Sequence, residues 1–448
     1  MPVILVTDVL VWLLAAAATG YAYYCRRHPH LAIPWAKVFR SAAAMASIVV
    51  LAVYVTLGLL DSLHFRPALE QKGAEQKAYS SEVLSVLDLT VSHLRGRGEK
   101  TYSAPLATRS YAKEQIELPD GRQMRDFPRL RFGGAHLARE DDWAADVAKR
   151  GLGGLGIALV LLLPMFLIVR IARRSKPDVP WNAAFCAVVV LFLLAGPALA
   201  LSSGYHVLGT DKVGQDVFYL ALKSVRTSLV IGTLTTLVLL PMGIALGIAA
   251  GYFKGWVDDV IQYLYTTLNS IPGVLLIAAA VLMMQVYIDL HPDLFQTAVQ
   301  RADLRLLFLC IILGLTSWTG LARLLRGEAL KLSQLEYIQA AHAFGVRDTR
   351  IISRHILPNV SHIVIIAMVM DFSGLVLAEA VLSYVGVGVD PSTNSFGTMI
   401  NAARLEMSRE PVVWWALATA FSFMFALVLA ANLFADAIRD GFDPRVRM

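Results

Sequence analysis

The strongest constraint on this chain is a succession of nine apolar runs, each about as long as a bilayer is thick. They fall at about 3–24, 41–60, 151–172, 182–203, 228–250, 260–289, 304–325, 357–383 and 412–435. A helix rises about 1.5 Å per residue, so about 20 apolar residues match a hydrocarbon core of roughly 30 Å. Charged residues make up 17% of the chain, against about 25% in soluble domains. Much of the chain therefore cannot face water, and the expected class is an all-α polytopic membrane protein. The net charge of +6 becomes a question of sidedness rather than of nucleic-acid binding.

The connecting segments set that sidedness. Arg26, Arg27, Lys37 and Arg40 follow the first run, and Arg173, Arg174 and Lys176 follow the third. Arg326, Lys331, Arg347, Arg350 and Arg354 follow the seventh, and Arg445 and Arg447 close the tail. Nine alternating spans put all four groups on one side, which the positive-inside rule makes cytoplasmic. The first run has no basic residues before it, so it reads as a retained span with the N-terminus outside rather than a signal peptide. Cys25, Cys186 and Cys310 sit in or beside apolar runs and form neither a disulfide framework nor a metal-site spacing.

A composition shift near residue 150 divides the chain. Residues 1–60 read as anchor helices, 61–150 as an extracytoplasmic domain, 151–180 as an additional membrane helix with a cytoplasmic link, and 181–448 as the main membrane core. Within 61–150, "SSEVLSVLDLTVSHL" places Val83, Val86, Leu87, Val91 and Leu94 near helical spacing. In the fifth run, Gly243, Gly247 and Gly251 recur every fourth residue, a stripe that lets a neighbouring helix approach closely.

One charged, glycine-punctuated stretch separates the seventh and eighth runs: "EALKLSQLEYIQAAHAFGVRDTRIISRHILPN". Ser333 and Glu336 have capping-box spacing, which predicts a short helix over 334–344. Gly345 is placed to end it in the left-handed conformation. Asp348 is placed to cap a second short helix through His355, and Pro358 suits the first turn of the next span. Ala340 and Ala341 keep one side of the first helix thin. The physical reading is a helix–turn–helix elbow at the cytoplasmic surface, suited to a groove on another protein; an ordinary interfacial loop is the alternative.

Gln339-Ala340-Ala341, then Gly345, then Leu357-Pro358, resemble the EAA loop of ABC-importer permeases, with Gln339 at the position of the family's leading glutamate. "LGTDKVGQDVFYLALKSVRTSLVIG" (208–232), "LAEAVLSYVGVGVDPSTNSFGTMINAAR" (377–404) and "DAIRDGFDPR" (436–445) resemble the C-type permease of dipeptide, oligopeptide and nickel importers. The resemblance covers roughly 182–445. It implies a type I permease core of six helices, here with two or three extra N-terminal helices and the extracytoplasmic insertion. It implies that 328–358 is a coupling loop docking on an ATPase subunit, through Ser333, Glu336, Gln339, Ala340, Ala341, Gly345, Asp348, Leu357 and Pro358. It also implies a second permease subunit, two ATPase subunits carrying ATP and Mg2+, and a soluble extracytoplasmic substrate-binding protein. Segment 384–411 resembles the re-entrant scoop that meets such a protein.

The remaining candidates stay open between structural and functional roles. Gly209, Thr210, Asp211, Gly214 and Asp216 read as an ordered entrance loop whose carboxylates cap turns or the next helix, with substrate contact and a metal site as alternatives. Asp371 and Glu379 lie eight residues apart in the eighth run, about 12 Å along one helical face. Acidic groups at membrane depth mark a translocation path, or an interhelical hydrogen bond for Asp371 and a near-interface position for Glu379. Trp414 and Trp415 are placed to anchor the last span at the outer interface. No phosphate-binding loop of the form G-x-x-x-x-G-K-[ST] and no nucleophile motif occurs in the sequence, so this chain is expected to bind no cofactor itself and to be no enzyme. The leading function is ATP-driven import of peptides. Nickel or metal-chelate import, an ion-driven secondary transporter and a membrane-anchored receptor are the alternatives.

Overall fold

The computed structural model describes residues 1–68, 79–117, 123–292 and 297–442. Its helices, in chain order, are α1 (Val6–Arg27), α2 (Pro29–Val38), α3 (Ala42–Asp61), α4 (Val86–Thr90), α5 (Ser92–Arg95), α6 (Trp143–Ser175), α7 (Trp181–Ser202), α8 (Val217–Phe253) and α9 (Gly255–Ser270). They continue with α10 (Gly273–Leu290), α11 (Ala298–Ser317), α12 (Thr319–Leu332), α13 (Glu336–Ala343), α14 (Asp348–Ile351), α15 (Leu357–Val385), α16 (Phe396–Glu406) and α17 (Trp415–Phe442). Nine stretches of described helix are long and apolar enough to cross a membrane, with α11–α12 and α14–α15 each counting as one. The all-α polytopic architecture is thus as the apolar runs predict. Arg445, Arg447 and the end of "DAIRDGFDPR" lie outside the described residues.

The sixth run departs from its expected bounds. Instead of one helix over 260–289, α9 ends at Ser270 and α10 begins at Gly273. Pro272 is the cause: it has no N–H to donate and drives the preceding residue out of the helical region. Ile271 is accordingly extended, at φ −92° and ψ 132°. Of the two pieces only α10 has spanning length and hydropathy.

The chain divides into two compact units. The first comprises Met1–Ile4, Phe39–Ser228 and Thr393–Ala430. Here α6 and α7 pack so closely that a Cβ on Gly154 would lie 2.5 Å from the Gly196 carbonyl oxygen. The strands β1 (Pro2–Val3), β2 (His64–Phe65) and β3 (Leu84–Ser85) form a small antiparallel sheet, and β4 (Glu114–Glu117) pairs with β5 (Gln123–Asp126). The helix expected over 80–94 begins only at Val86. Ser85 accepts from the Asp88 amide while Asp88 accepts from the Ser85 amide, at 3.2 and 2.8 Å, and this capping box fixes the start. Leu87, Val91 and Leu94 are buried against Leu222, so the insertion packs directly on the first turns of α8.

The second unit comprises Leu5–Val38, Leu229–Ser392 and Ala431–Met448. One buried cluster joins Ile231 and Leu234 of α8 to Val281, Leu306, Leu309 and Leu313. Another joins Ile248 of α8 to Leu325 and Ala329 of α12 and to Ile338, Ile351, Ile356 and Val360. The glycine stripe works as its spacing predicts. A Cβ on Gly243 would fall 2.8 Å from Leu321, and one on Gly247 would fall 2.7 Å from the Ala322 carbonyl oxygen. Gly251 likewise faces Ala329. Bare backbone over two turns lets α12 lie directly on α8, and α12 leads into the elbow.

Candidate functional site

The elbow is built from the end of α12 to the start of α15. Ser333 closes α12 rather than opening α13: its amide donates to the Ala329 carbonyl at 2.9 Å and its hydroxyl to Leu330 O at 2.8 Å. The expected capping box with Glu336 is therefore absent. Leu335 occupies the N-cap of α13 with no side-chain bond, and Glu336 is the first helical residue. Ser333 still has the helical backbone of α12, at φ −62° and ψ −16°, and the extended N-cap geometry falls two residues later, at Leu335. Glu336 remains well placed for the positive end of the helix dipole. Gln339 folds back, its Nε2 donating to the Gln334 carbonyl at 3.2 Å.

One face of α13 is anchored. Ile338 is buried with Ile351, Ile356 and Val360, and Ala341 packs against the same cluster. Ala340 is exposed. Gly345 ends the helix at φ +74°. Its amide donates to His342 O at 3.0 Å and the Val346 amide to Ala341 O at 3.1 Å, the two bonds of a Schellman motif. The termination expected of Gly345 is thus met in full. Asp348 differs from expectation. Arg347 is the N-cap of α14, and Asp348 instead accepts a hydrogen bond from the Tyr252 hydroxyl of α8 at 2.6 Å. That contact ties the elbow to the helix that carries the glycine stripe. A single π turn, Ile352–Ile356, leads into α15, where Leu357 and Pro358 occupy the first turn. Asn359 Nδ2 reaches the Tyr337 hydroxyl at 3.3 Å. A bidentate pair, Arg326 with Asp258 at 2.6 and 2.7 Å, fixes α12 to α9.

What the elbow leaves uncovered is equally defined. Phe344 is 86% exposed at its tip, and Arg347, Arg350 and Arg354 form no ion pair among the described residues. This is a rigid, basic, aromatic-tipped projection with its own internal supports.

The acidic pair of α15 separates. Glu379 is 1% exposed and accepts from Ser383 Oγ at 2.7 Å, one turn later in the same helix. Asp371 is half-buried and makes no hydrogen bond among the described residues. The interhelical bond considered for it is not formed among the described residues.

In the first unit the entrance loop is ordered as the glycines and carboxylates predict. Gly209 and Gly214 take φ of +74° and +78°. Asp211 Oδ1 accepts from the Val213 and Gln215 amides at 3.0 and 2.8 Å, and Asp216 Oδ1 accepts from Phe218 and Tyr219 at the start of α8, at 2.9 and 3.3 Å. Burial pushes the Asp211 carboxyl up against these bonds. Thr210 is fully buried, donating to Thr101 O at 2.9 Å and accepting from the Ser103 amide at 2.6 Å. Trp415 joins it: the indole donates to Thr210 O at 2.9 Å and is 2% exposed. Trp415 is thus a core residue rather than the interfacial anchor expected; Trp414, 54% exposed, keeps a position open to that role.

Two buried ionic clusters bind the insertion to α8. His206 lies between Asp216 at 2.8 Å and Glu99 at 3.4 Å, all three side chains at most 4% exposed. Burial opposes charge on His206, but the hydrogen bonds and charges of the two carboxylates outweigh it and raise its pKa to about 9. Burial likewise opposes ionisation of Glu99, yet His206 and the amides of 131–133 hold it down at about 2. Lys223 of α8 lies 2.5 Å from Asp61 and 3.2 Å from Asp88. Residues 61, 99 and 206 carried no local motif, Asp88 had only its capping-box spacing from Ser85, and only the chain's tertiary return brings them to α8.

Bilayer-length helices that carry a braced projection between two spans, together with an ordered loop leading into a long span, define a multi-pass membrane protein. The sequence pattern described as binding-protein-dependent transport system inner membrane component matches residues 243–448, and the chain belongs to that family. Similar proteins include the glutathione transport system permease protein GsiD of Pectobacterium atrosepticum, 33% identical over 245 residues, covering 55% of this chain and 74% of that protein. The oligopeptide transport system permease protein OppC of Mycobacterium bovis is 27% identical over 299 residues, 67% and 91% of the two chains. The dipeptide transport system permease protein DppC of Bacillus subtilis is 28% identical over 295 residues, 61% and 85%. Members of the family are membrane subunits that lack an ATPase site and work with ATPase and substrate-binding partners.

Proposed function

We propose that this chain is one of two unlike permease subunits of an ATP-driven importer of short peptides in the bacterial inner membrane. The observation that carries the reading is the braced elbow at 328–358 inside the family match. Relatives named for oligopeptide, dipeptide and glutathione transport support the cargo, since a short peptide is common to all three. The N-terminus lies outside and the C-terminus inside, which places the basic groups at 25–40, 173–176 and 326–354 in the cytoplasm.

In this reading ATP and Mg2+ sit on two partner ATPase subunits, and this chain binds no cofactor. Their closure draws the elbows of the two permeases together. Each elbow moves as a unit with α8 and α12, because the Asp348–Tyr252 bond, the Ile338 cluster and the glycine stripe leave little slack. Hydrolysis therefore biases the membrane helices between two packed arrangements. Glu336, Gln339 and Ala340 face the partner; Ser333, Ala341, Gly345, Asp348, Leu357 and Pro358 hold the elbow in shape. Asp371 contributes a carboxylate to the translocation path, where it meets a peptide's ammonium end. The entrance loop, Gly209 to Asp216, positions α8, and the 384–411 region receives the substrate-binding protein.

Reconstitution into liposomes with the partner permease, the ATPases and the binding protein tests this. Uptake of di- and tripeptides that requires both ATP and the binding protein is expected. Uptake that proceeds without a nucleotide-hydrolysing partner, or follows an ion gradient, overturns it.

A further inference from the structure

We propose that the insertion holds a carboxylate-binding pocket that takes the free C-terminus of a short peptide and shares a wall with the His206 clamp. The cavity, about 290 Å³, lies between segments 98–101 and 128–131. That is the small end of the range for ligand sites, enough for a chain terminus rather than a whole oligopeptide.

The charges lining it are unequally committed. Glu99 is occupied by the amides of Arg131, Phe132 and Gly133 at 2.9, 2.8 and 3.1 Å and by His206. Glu114 is occupied by Lys100 at 2.7 Å. Arg129 uses one guanidinium nitrogen on the Gly134 and Leu137 carbonyls, which fixes its plane and leaves the other donors available. Arg131 makes no ion pair or side-chain hydrogen bond among the described residues; its guanidinium rests over the Phe132 ring, 5.2 Å from the centroid. Ser110 accepts from the Ala112 amide at 3.3 Å and keeps its hydroxyl proton to donate. The uncommitted charge is thus positive and planar, the geometry that receives a carboxylate bidentately.

The wall behind the pocket is mechanically connected. The Glu99 amide donates to Gly214 O at 2.9 Å, and a Cβ on Gly214 would collide with the Glu99 carbonyl. A ligand held by Arg131 lies beside the three amides that fix Glu99, so its occupancy reaches His206, Asp216 and the first turn of α8. The ligand class rests on the peptide reading above. The site is tested by binding alone, so either can fail without the other.

Hydrogen–deuterium exchange of the full chain in lipid nanodiscs provides the test, with trialanine, trialanine amide and cargo-free binding protein as separate additions. Trialanine is expected to slow exchange across 98–101 and 128–133. The amide form, lacking the carboxylate, needs about tenfold more ligand for the same effect, the worth of one charge-assisted bond. Arg131→Ala abolishes the protection, whereas Arg131→Lys retains part of it. Equal protection by the amide, unchanged protection in Arg131→Ala, or protection by the binding protein alone overturns the proposal.

Discussion

Removing one oxygen from Tyr252 should loosen the elbow without unfolding it. Tyr252→Phe deletes the 2.6 Å bond to Asp348 and leaves the ring in the cluster around Ile338. Hydrogen bonds to charged groups contribute about 1.5–3 kcal/mol, and ordinary ones about 1. Both partners here are half-buried, so solvent competes and about 1 kcal/mol is the appropriate figure. That is roughly a fivefold change in the equilibrium between tethered and untethered elbow. The assay is the ratio of peptide transported to ATP hydrolysed in proteoliposomes. Tyr252→Phe should lower that ratio about fivefold while assembly and ATPase activity persist. Asp348→Ala, which leaves no acceptor, should do the same, and the double variant should be no worse than either single one, because both act on one bond. A normal ratio in Tyr252→Phe, or losses that simply add in the double variant, would refute the reasoning.

Three further outcomes follow from the same geometry. Gly345→Ala should cost about 1–2 kcal/mol from the left-handed backbone alone, since no atom lies within 4 Å of the added Cβ. Gly345→Pro should uncouple ATP hydrolysis from uptake more severely, because it also removes the amide bond to His342; coupling ratios of the two variants compare them. Gly247→Val should disrupt the α8–α12 contact, because its Cβ meets main-chain atoms of Ala322 at 2.7 and 2.9 Å; loss of monodisperse protein in detergent is the readout. Resistance of the insertion to proteolysis should be flat between about pH 4.5 and 6.5 and fall on either side of that window. His206, raised from 6.5 to about 9, stabilises the fold fully below 6.5 and loses that effect as pH rises through 9. Glu99, lowered from 4.5 to about 2, stabilises above 4.5 and loses that effect as pH falls through 2. His206→Gln should remove the alkaline arm and weaken the acid one, because Glu99 then keeps only the amides of 131–133.

The membrane architecture was legible because hydrocarbon thickness and helical rise act on every residue of a span. Gly345 and the Gly243–Gly251 stripe were legible for a similar reason: each acts through backbone shape alone. The caps were less so. Ser333 and Glu336 had the right spacing, but α12 continues to Leu332 and claims the serine. Asp348 had the right neighbours, but Tyr252, almost a hundred residues earlier, offers it a donor. Trp415 looked like an interfacial anchor until Thr210 and Tyr111 enclosed it. The clusters at His206 and Lys223 depend wholly on where the insertion returns to α8, and a one-dimensional pattern carries no trace of that return.

The central claim is that the elbow meets the ATPase in the cytoplasm, and Phe344 is the place to measure it. Phe344→Cys, introduced after Cys25, Cys186 and Cys310 are replaced by serine, puts a thiol at a position that is 86% exposed. In intact cells a membrane-impermeant thiol reagent should not reach it, and in membranes a short bifunctional crosslinker should join it to the ATPase subunit. Labelling of the Phe344→Cys thiol from outside intact cells, or no crosslink in a transport-competent complex, would contradict the account.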